Sequence, residues 1–183
     1  MTAAQRMQPI ETARLRLRQW TDADREPFAR MNADRDVMRY FPGPLTREQS
    51  DAFLDRQRDH IDKRGWGLWA VETRADNTFI GFVGLAPVPM TMPFGPAIEV
   101  GWRLAREHWG RGYAKEAALA AIAHAFDTLR VPQIVSFTAE MNQPSRALME
   151  RLGMDRIDAF QHPPLAADSP LRAHVLYALR RGA

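Results

Sequence analysis

The chain has 183 residues, 45% of them apolar and 26% charged, which suits one ordinary globular domain. Its 25 cations exceed its 22 anions by three, and since all but Lys63 and Lys115 are arginines that do not titrate, the pI of about 9.8 does not signal a nucleic-acid surface. The absence of cysteine excludes disulfides, thiolate metal sites and a thiol nucleophile, and no apolar run reaches the ~20 residues that cross a bilayer, so a cytoplasmic location is expected.

Residues 1–10 read as a flexible extension. Ala13 to Arg18 alternates as a half-buried strand does. Thr21 is a plausible N-cap for a helix over 22–32, in which Pro27 is a blemish. Phe41-Pro42-Gly43-Pro44 is a break. Thr46 with Gln49 forms a capping box for a helix that runs to about Lys63 and stops at Gly65. Along it Asp51, Asp55, Asp59 and Asp62 share one stripe. The stripe suits a cationic binding partner, or a solvated face paired with Arg47, Arg56, Arg58 and Lys63.

Strands follow near 67–72 and 79–85, with a hairpin turn at 75–77. Four prolines make 86–97 a loop rather than a ladder. Ile98 to Leu104 is a strand whose Gly101 suggests a bulge or a close backbone approach. A helix over 113–129 carries small residues on its apolar stripe, which lets it lie close to a sheet. Strand 134–138, a helix capped by Asn142 and ended by Gly153, and strands near 156–160 and 174–179 complete a mixed α/β order. The five histidines lack metal-ligand spacing, and no metal is expected.

Trp109 to Ala114 reads W-G-R-G-Y-A between a strand and a helix. Gly110 and Gly112 permit a sharp turn, and the first amides of the next helix lack intrahelical partners and sit at its positive end. Together these features describe a pyrophosphate cradle, to which Arg111 and Lys115 add charge. An ordinary glycine-bearing loop reads the same way. The spacing differs from the dinucleotide-binding fingerprint.

The run IEVGWRLAREHWGRGYAKEA, followed by a strand and NQPSRALMERLGM, resembles the GNAT acetyltransferase superfamily and, within it, the RimJ/RimL-type branch. The likeness extends from ETARLRLR to the final HVLYALRR. Gly112 and Ala114 match the last two fixed positions of Arg/Gln-x-x-Gly-x-Gly/Ala, while Trp109 stands where Arg or Gln is usual. Aromatic-Gly-x-Gly-Tyr-Ala is common in the Rim-type branch. The resemblance implies the GNAT fold over residues 1–183: a mostly antiparallel twisted sheet of about seven strands with about four helices, and a bulged strand near Glu99–Leu104. It implies acetyl-CoA as cosubstrate, with backbone amides of Gly110, Arg111, Gly112, Tyr113 and Ala114 on its pyrophosphate. Trp102, Arg103 and Leu104 would pair their backbone with the pantetheine arm.

Asn142-x-x-Ser145 matches a Rim-type motif that contacts CoA near its sulfur, although an N-cap uses the same residues. Glu99 stands where Rim-type enzymes carry a proposed base, and partial burial would raise its pKa; an outward-facing strand residue is the other reading. The implied reaction is direct acetyl transfer to a primary amine, such as a protein N-terminus. A small amine as acceptor, or a non-catalytic acyl-CoA-binding module, keeps the same fold. Phe41 in the first break, and Met92 and Phe94 exposed on the 86–97 loop, are the expected acceptor contacts. The same loop also suits a dimer contact, and a monomer or homodimer is expected, with no nucleic-acid or membrane partner.

Overall fold

A computed structural model describes residues 8–182. The part of the expected extension at 1–7 lies outside the described residues. Ile10 does not extend freely: β1 (Ile10–Glu11) pairs with β2 (Leu15–Arg18) through Ile10 and Leu17. The remaining elements are α1 (Arg25–Ala33), α2 (Arg47–Arg64), β3 (Leu68–Thr73), β4 (Phe79–Val88), β5 (Ala97–Leu104), α3 (Tyr113–Ala123), β6 (Gln133–Ala139), α4 (Gln143–Arg151), β7 (Asp155–Gln161) and β8 (Ala173–Arg180). The sheet therefore has eight strands, one more than expected, in the order β1-β2-β3-β4-β5-β6-β8-β7. Every neighbouring pair is antiparallel except β5 with β6.

Local chemistry accounts for the helices. A short 3-10 turn at Asp22–Asp24, capped by Thr21, leads into α1 and puts Pro27 in its first turn, where no intrahelical partner awaits an N–H. Thr46 and Gln49 cap α2 reciprocally, and Gly65 ends it at φ +77°. The carboxylate stripe of α2 is a paired surface: Asp51 meets Arg47, Asp55 meets Arg25 and Arg58, Asp59 meets Lys63, and Asp62 accepts from Gln19. The expected helix over 113–129 is α3 followed by one π-helical turn, His124–Thr128.

On one face of the sheet α1 and α2 cover an aromatic cluster. Trp20 and Phe28 lie 4.9 Å apart, with Phe53, Phe79 and Phe82 around them. Each fully buried ring contributes about 1.5–3 kcal/mol. Trp20 keeps its indole N–H satisfied on the Leu68 carbonyl at 2.7 Å. On the other face Ala117, Ala118 and Ala121 of α3 are fully buried, the close approach expected of small residues. Between β2 and β3, Arg18 bridges buried Asp24 and Glu72, and Arg16 also holds Glu72.

The 86–97 segment departs from expectation twice. First, β4 and β5 stay in ladder to Val88 and Ala97. Pro87 is tolerated because odd residues of β4 turn their amides toward β3, as Leu85 does onto Gly67, and β3 pairing ends at Gly84. Second, Met92 and Phe94 do not present an exposed surface. Met92 is 7% exposed in a second core with Val88, Val135, Leu176 and Ala178, and Phe94 packs on Phe137 and Phe160 at 5.2 and 5.0 Å. Met90, in the same segment, projects outward. The expected bulge in β5 is also absent, since its register with β4 runs unbroken from Ala97 to Leu104.

Candidate active site

The site grows from the seam between β5 and β6. Their ladder contains a single matched pair, Glu99 with Val135, reinforced by Ser136 Oγ donating to the Val100 carbonyl at 2.9 Å. Beyond that point β5 continues to Leu104 without β6 beside it. Backbone direction alternates along a strand, and Val100 turns its carbonyl toward β6, so Trp102 and Leu104 turn the same way into the opening. The Leu104 carbonyl is taken by Trp109 Nε1 at 2.8 Å, while Trp102 faces the gap with its amide and carbonyl. Arg103 turns its backbone the other way, into the ladder opposite Phe82. The backbone contacts expected of 102–104 thus rest on Trp102 and Leu104.

The turn after β5 opens at one end of this gap. Gly110 and Gly112 hold φ +72° and +78°, left-handed values that explain why glycine is needed at both. Among the described residues, none of the amides of Gly110, Arg111 and Gly112 donates to a backbone carbonyl. Tyr113 and Ala114 open α3, so their amides are its unpaired first donors. This row of free N–H groups at a helix N-terminus fits a pyrophosphate.

Three residues that hold the turn escaped the sequence reading. Arg14 donates to the Arg111 carbonyl at 2.9 Å and to Glu116 Oε2 at 2.7 Å, and its guanidinium lies 4.7 Å from the centre of the Tyr113 ring. Thr12 donates to Glu116 Oε1 at 2.6 Å. These partners are about a hundred positions apart in sequence, and no spacing rule connects them.

Asn142 and Ser145 lie across the gap. Asn142 is buried; its Oδ1 caps α4 by accepting from the Ser145 amide at 3.3 Å, and its Nδ2 donates to Thr138 Oγ1 at 2.8 Å. Trp102 Nε1 donates to Ser145 Oγ at 3.3 Å, which leaves the hydroxyl proton free to point elsewhere.

Glu99 approaches from the opposite face of β5. Glu99, Gly101 and Arg103 project on the side of α1 and α2, because Arg103 pairs with Phe82 of the aromatic cluster. Trp102 projects on the α3 side. Gly101 leaves room for the Glu99 carboxylate: the heavy atom within 4 Å of a Cβ built there is Glu99 Oε1, at 3.6 Å. Burial pushes the Glu99 carboxyl up to about 8, with no charged or hydrogen-bonding partner opposing it. Phe41 lies further along this side, its ring 4.2 Å from the Arg103 guanidinium carbon. Trp102, Leu104, Gly110, Gly112, Tyr113, Asn142 and Ser145 are thus gathered around one gap. Met92 and Phe94 belong to the packing of β6, β7 and β8.

Among the described residues no His, Asp or Glu cluster suits a metal ion, and no helix is long and apolar enough to cross a membrane. Residues 14–155 match the model of the acetyltransferase (GNAT) domain. Over 146 residues the chain is 31% identical to the uncharacterized protein YkkB of Bacillus subtilis, covering 79% of this chain and 84% of that one. It is 30% identical over 162 residues to the FsC-acetyl coenzyme A-N(2)-transacetylase of Aspergillus fumigatus, covering 82% of this chain and 66% of the relative. The crystal structure of an acetyltransferase from Agrobacterium tumefaciens superposes with a TM-score of 0.77 at 27% identity, covering 95% of both chains.

Proposed function

This chain belongs to the GNAT acetyltransferase family and is an N-acetyltransferase, and we propose that it moves an acetyl group directly from acetyl-CoA to a primary amine of α-amine character, a protein N-terminus being the first candidate. The reading takes residues 1–183 as one cytoplasmic acetyltransferase domain of the RimJ/RimL-type branch. The aromatic-Gly-x-Gly-Tyr-Ala turn and the Asn142-x-x-Ser145 motif support that branch. The observation that carries the reading is the open gap beside Trp102, with Glu99 on one face of β5 and Ser145 on the other.

When bound, acetyl-CoA supplies an acyl group activated as a thioester. The free amides from Gly110 to Ala114 would hold its pyrophosphate, and the gap-facing backbone of Trp102 and Leu104 its pantetheine arm. The Trp102 amide, which faces the gap, would donate to a carbonyl oxygen there, a preorganised contact of the kind that contributes ~3–4 kcal/mol. Ionised Glu99 accepts the proton of the incoming amine at a carboxylate oxygen. Ser145 Oγ, already an acceptor for Trp102 Nε1, donates its own proton toward a departing sulfur on the far face. A thiolate of ordinary pKa ~8.5 needs no stronger acid.

The basicity of Glu99 supports the acceptor class. A base at about 8 is matched to an α-amine near ~7.8, which costs ~1.1 kcal/mol to deprotonate at pH 7, whereas a lysine side chain near ~10.4 costs ~4.6 kcal/mol. The test has two arms. Calorimetry with acetyl-CoA reads binding, and a thiol-release screen compares peptides with free N-termini, N-blocked lysine peptides and polyamines. Preferred turnover of the blocked lysine peptides or of the polyamines would overturn the α-amine reading. Absence of acetyl-CoA binding would overturn the site.

A further inference from the structure

The face of β5 opposite the cofactor loop carries a second uncompensated group. Arg103 donates from Nη1 to Asn32 Oδ1 at 2.8 Å, and Asn32 in turn donates to Ser50 Oγ at 2.9 Å, so one end of the guanidinium is fixed by a buried network. No carboxylate reaches it: among the described residues it forms no ion pair, and its enclosed Nε has no hydrogen-bond partner. Around it stand rings, with its central carbon 4.2, 5.2 and 5.9 Å from those of Phe41, Phe82 and Phe53. Burial brings its pKa down to about 10, the response of a cation held without a counter-charge.

This guanidinium lines a cavity of about 420 Å³ with Met38, Phe41, Leu45 and Phe53. Arg56 at its rim adds a second cation, and the lining contains no acid. An apolar pocket with converging positive groups and no negative one is complementary to an anion on an apolar body. Gly101 stands between Arg103 and Glu99 on the same face, and the atom a Cβ there would meet within 4 Å is Glu99 Oε1, so no side chain of β5 separates the two groups. The Cα atoms of Glu99 and Arg103 are four residues apart, roughly 13 Å along a strand.

We propose that the Arg103 cavity is the acceptor's second subsite and binds a carboxylate, so that the substrate is an extended zwitterion with its amine at Glu99 and its anion, on an apolar body, at Arg103. This assignment rests on the acetyl-transfer reading for the position of the amine. A free α-amino acid, whose amine and carboxylate are separated by one carbon, is too short to reach both ends.

The experiment uses acceptors in matched pairs that differ only in charge: alanyl-alanyl-phenylalanine and alanyl-alanyl-leucine, each against its C-terminal amide. The acids should exceed the amides about tenfold in kcat/KM, through KM, and Arg103→Gln should abolish the difference while Arg103→Lys retains part of it. A second arm needs no turnover. Calorimetry should find phenylbutyrate binding about tenfold more tightly than phenylbutanamide to the wild type and equally to Arg103→Gln. Arg56→Gln, at the rim, should reduce the preference less. Equal use of acid and amide, or equal binding of the two phenyl probes by the wild type, overturns the subsite and leaves Arg103 a clamp on Phe41. Thiol release from no amine at all would instead overturn the acetyl-transfer reading, and the phenyl probes would still decide the subsite.

Discussion

Replacing Glu99 by Gln tests the electrostatics of the site without any knowledge of the acceptor. In the unfolded chain this carboxyl has its ordinary 4.5, whereas burial in the folded protein pushes it up to about 8. The native state therefore holds a proton that the unfolded chain has already released. That preference is fully present below about 4.5, erodes as pH rises toward 8, and is gone above it. The whole shift corresponds to roughly 4–5 kcal/mol, which water entering the open cleft reduces to about 1–3 kcal/mol. A chain of this size gains ~2–4 °C in Tm per kcal/mol. Glu99→Gln should melt with the wild type at about pH 5 and roughly 2–12 °C above it at about pH 9, in melting curves recorded at constant ionic strength. A difference in Tm that stays constant across that range would refute the buried, protonated Glu99, and with it the case for a base tuned to neutral amines.

Three further outcomes are expected. Gly112→Val forces a β-branched residue to φ +78° and sets its Cβ 3.4 Å from Arg14 Nη2, so acetyl-CoA affinity measured by calorimetry should fall about tenfold or more; unchanged affinity would place the cofactor elsewhere. Ser145→Ala should lower kcat by about tenfold with acetyl-CoA binding intact, and wild-type turnover would return Ser145 to a purely structural position in α4. Met92→Ser should cost about 2–4 kcal/mol in denaturant unfolding because it opens the second core, with KM for the acceptor unaltered; a raised KM at wild-type stability would restore the loop to substrate recognition.

What the sequence revealed depended on the range of the interactions involved. Thr46 with Gln49, Gly65 and Asn142 act on neighbours within four residues, and their elements were legible from local patterns. The glycines of the 110–112 turn were legible for the same reason. Glu99 was legible because an acid between Ile98 and Val100 is conspicuous, yet its pairing with Val135 across the seam was not. The departure of 86–97 from a loop has a specific cause. Prolines argue against a strand only if a neighbour needs their N–H, and at Pro87 that neighbour has ended. Burial of Met92 depends on β6 and β8, which lie more than forty residues further along the chain. Gly101 suggested a bulge, whereas its place in the fold is to leave space for the carboxylate two residues before it. The Arg14–Glu116 brace and the lone Arg103 guanidinium exist only once distant segments meet.

The position of β8 has a consequence for how the molecule is made. It leaves the ribosome after β7, yet it sits between β6 and β7 as the partner of both. At ~5–20 residues per second, β7 and one edge of β6 wait seconds for the strand that satisfies them. Two of the five residues in the second core, Leu176 and Ala178, arrive on that same strand. The ladders joining β1 to β5 are complete by Leu104, whereas β5 gains β6, and the main core gains Leu148, Met149, Val175 and Tyr177, only from later segments. The gap beside Trp102 is bordered by residues from both stretches, so its walls come together only when the later segments join the earlier ones.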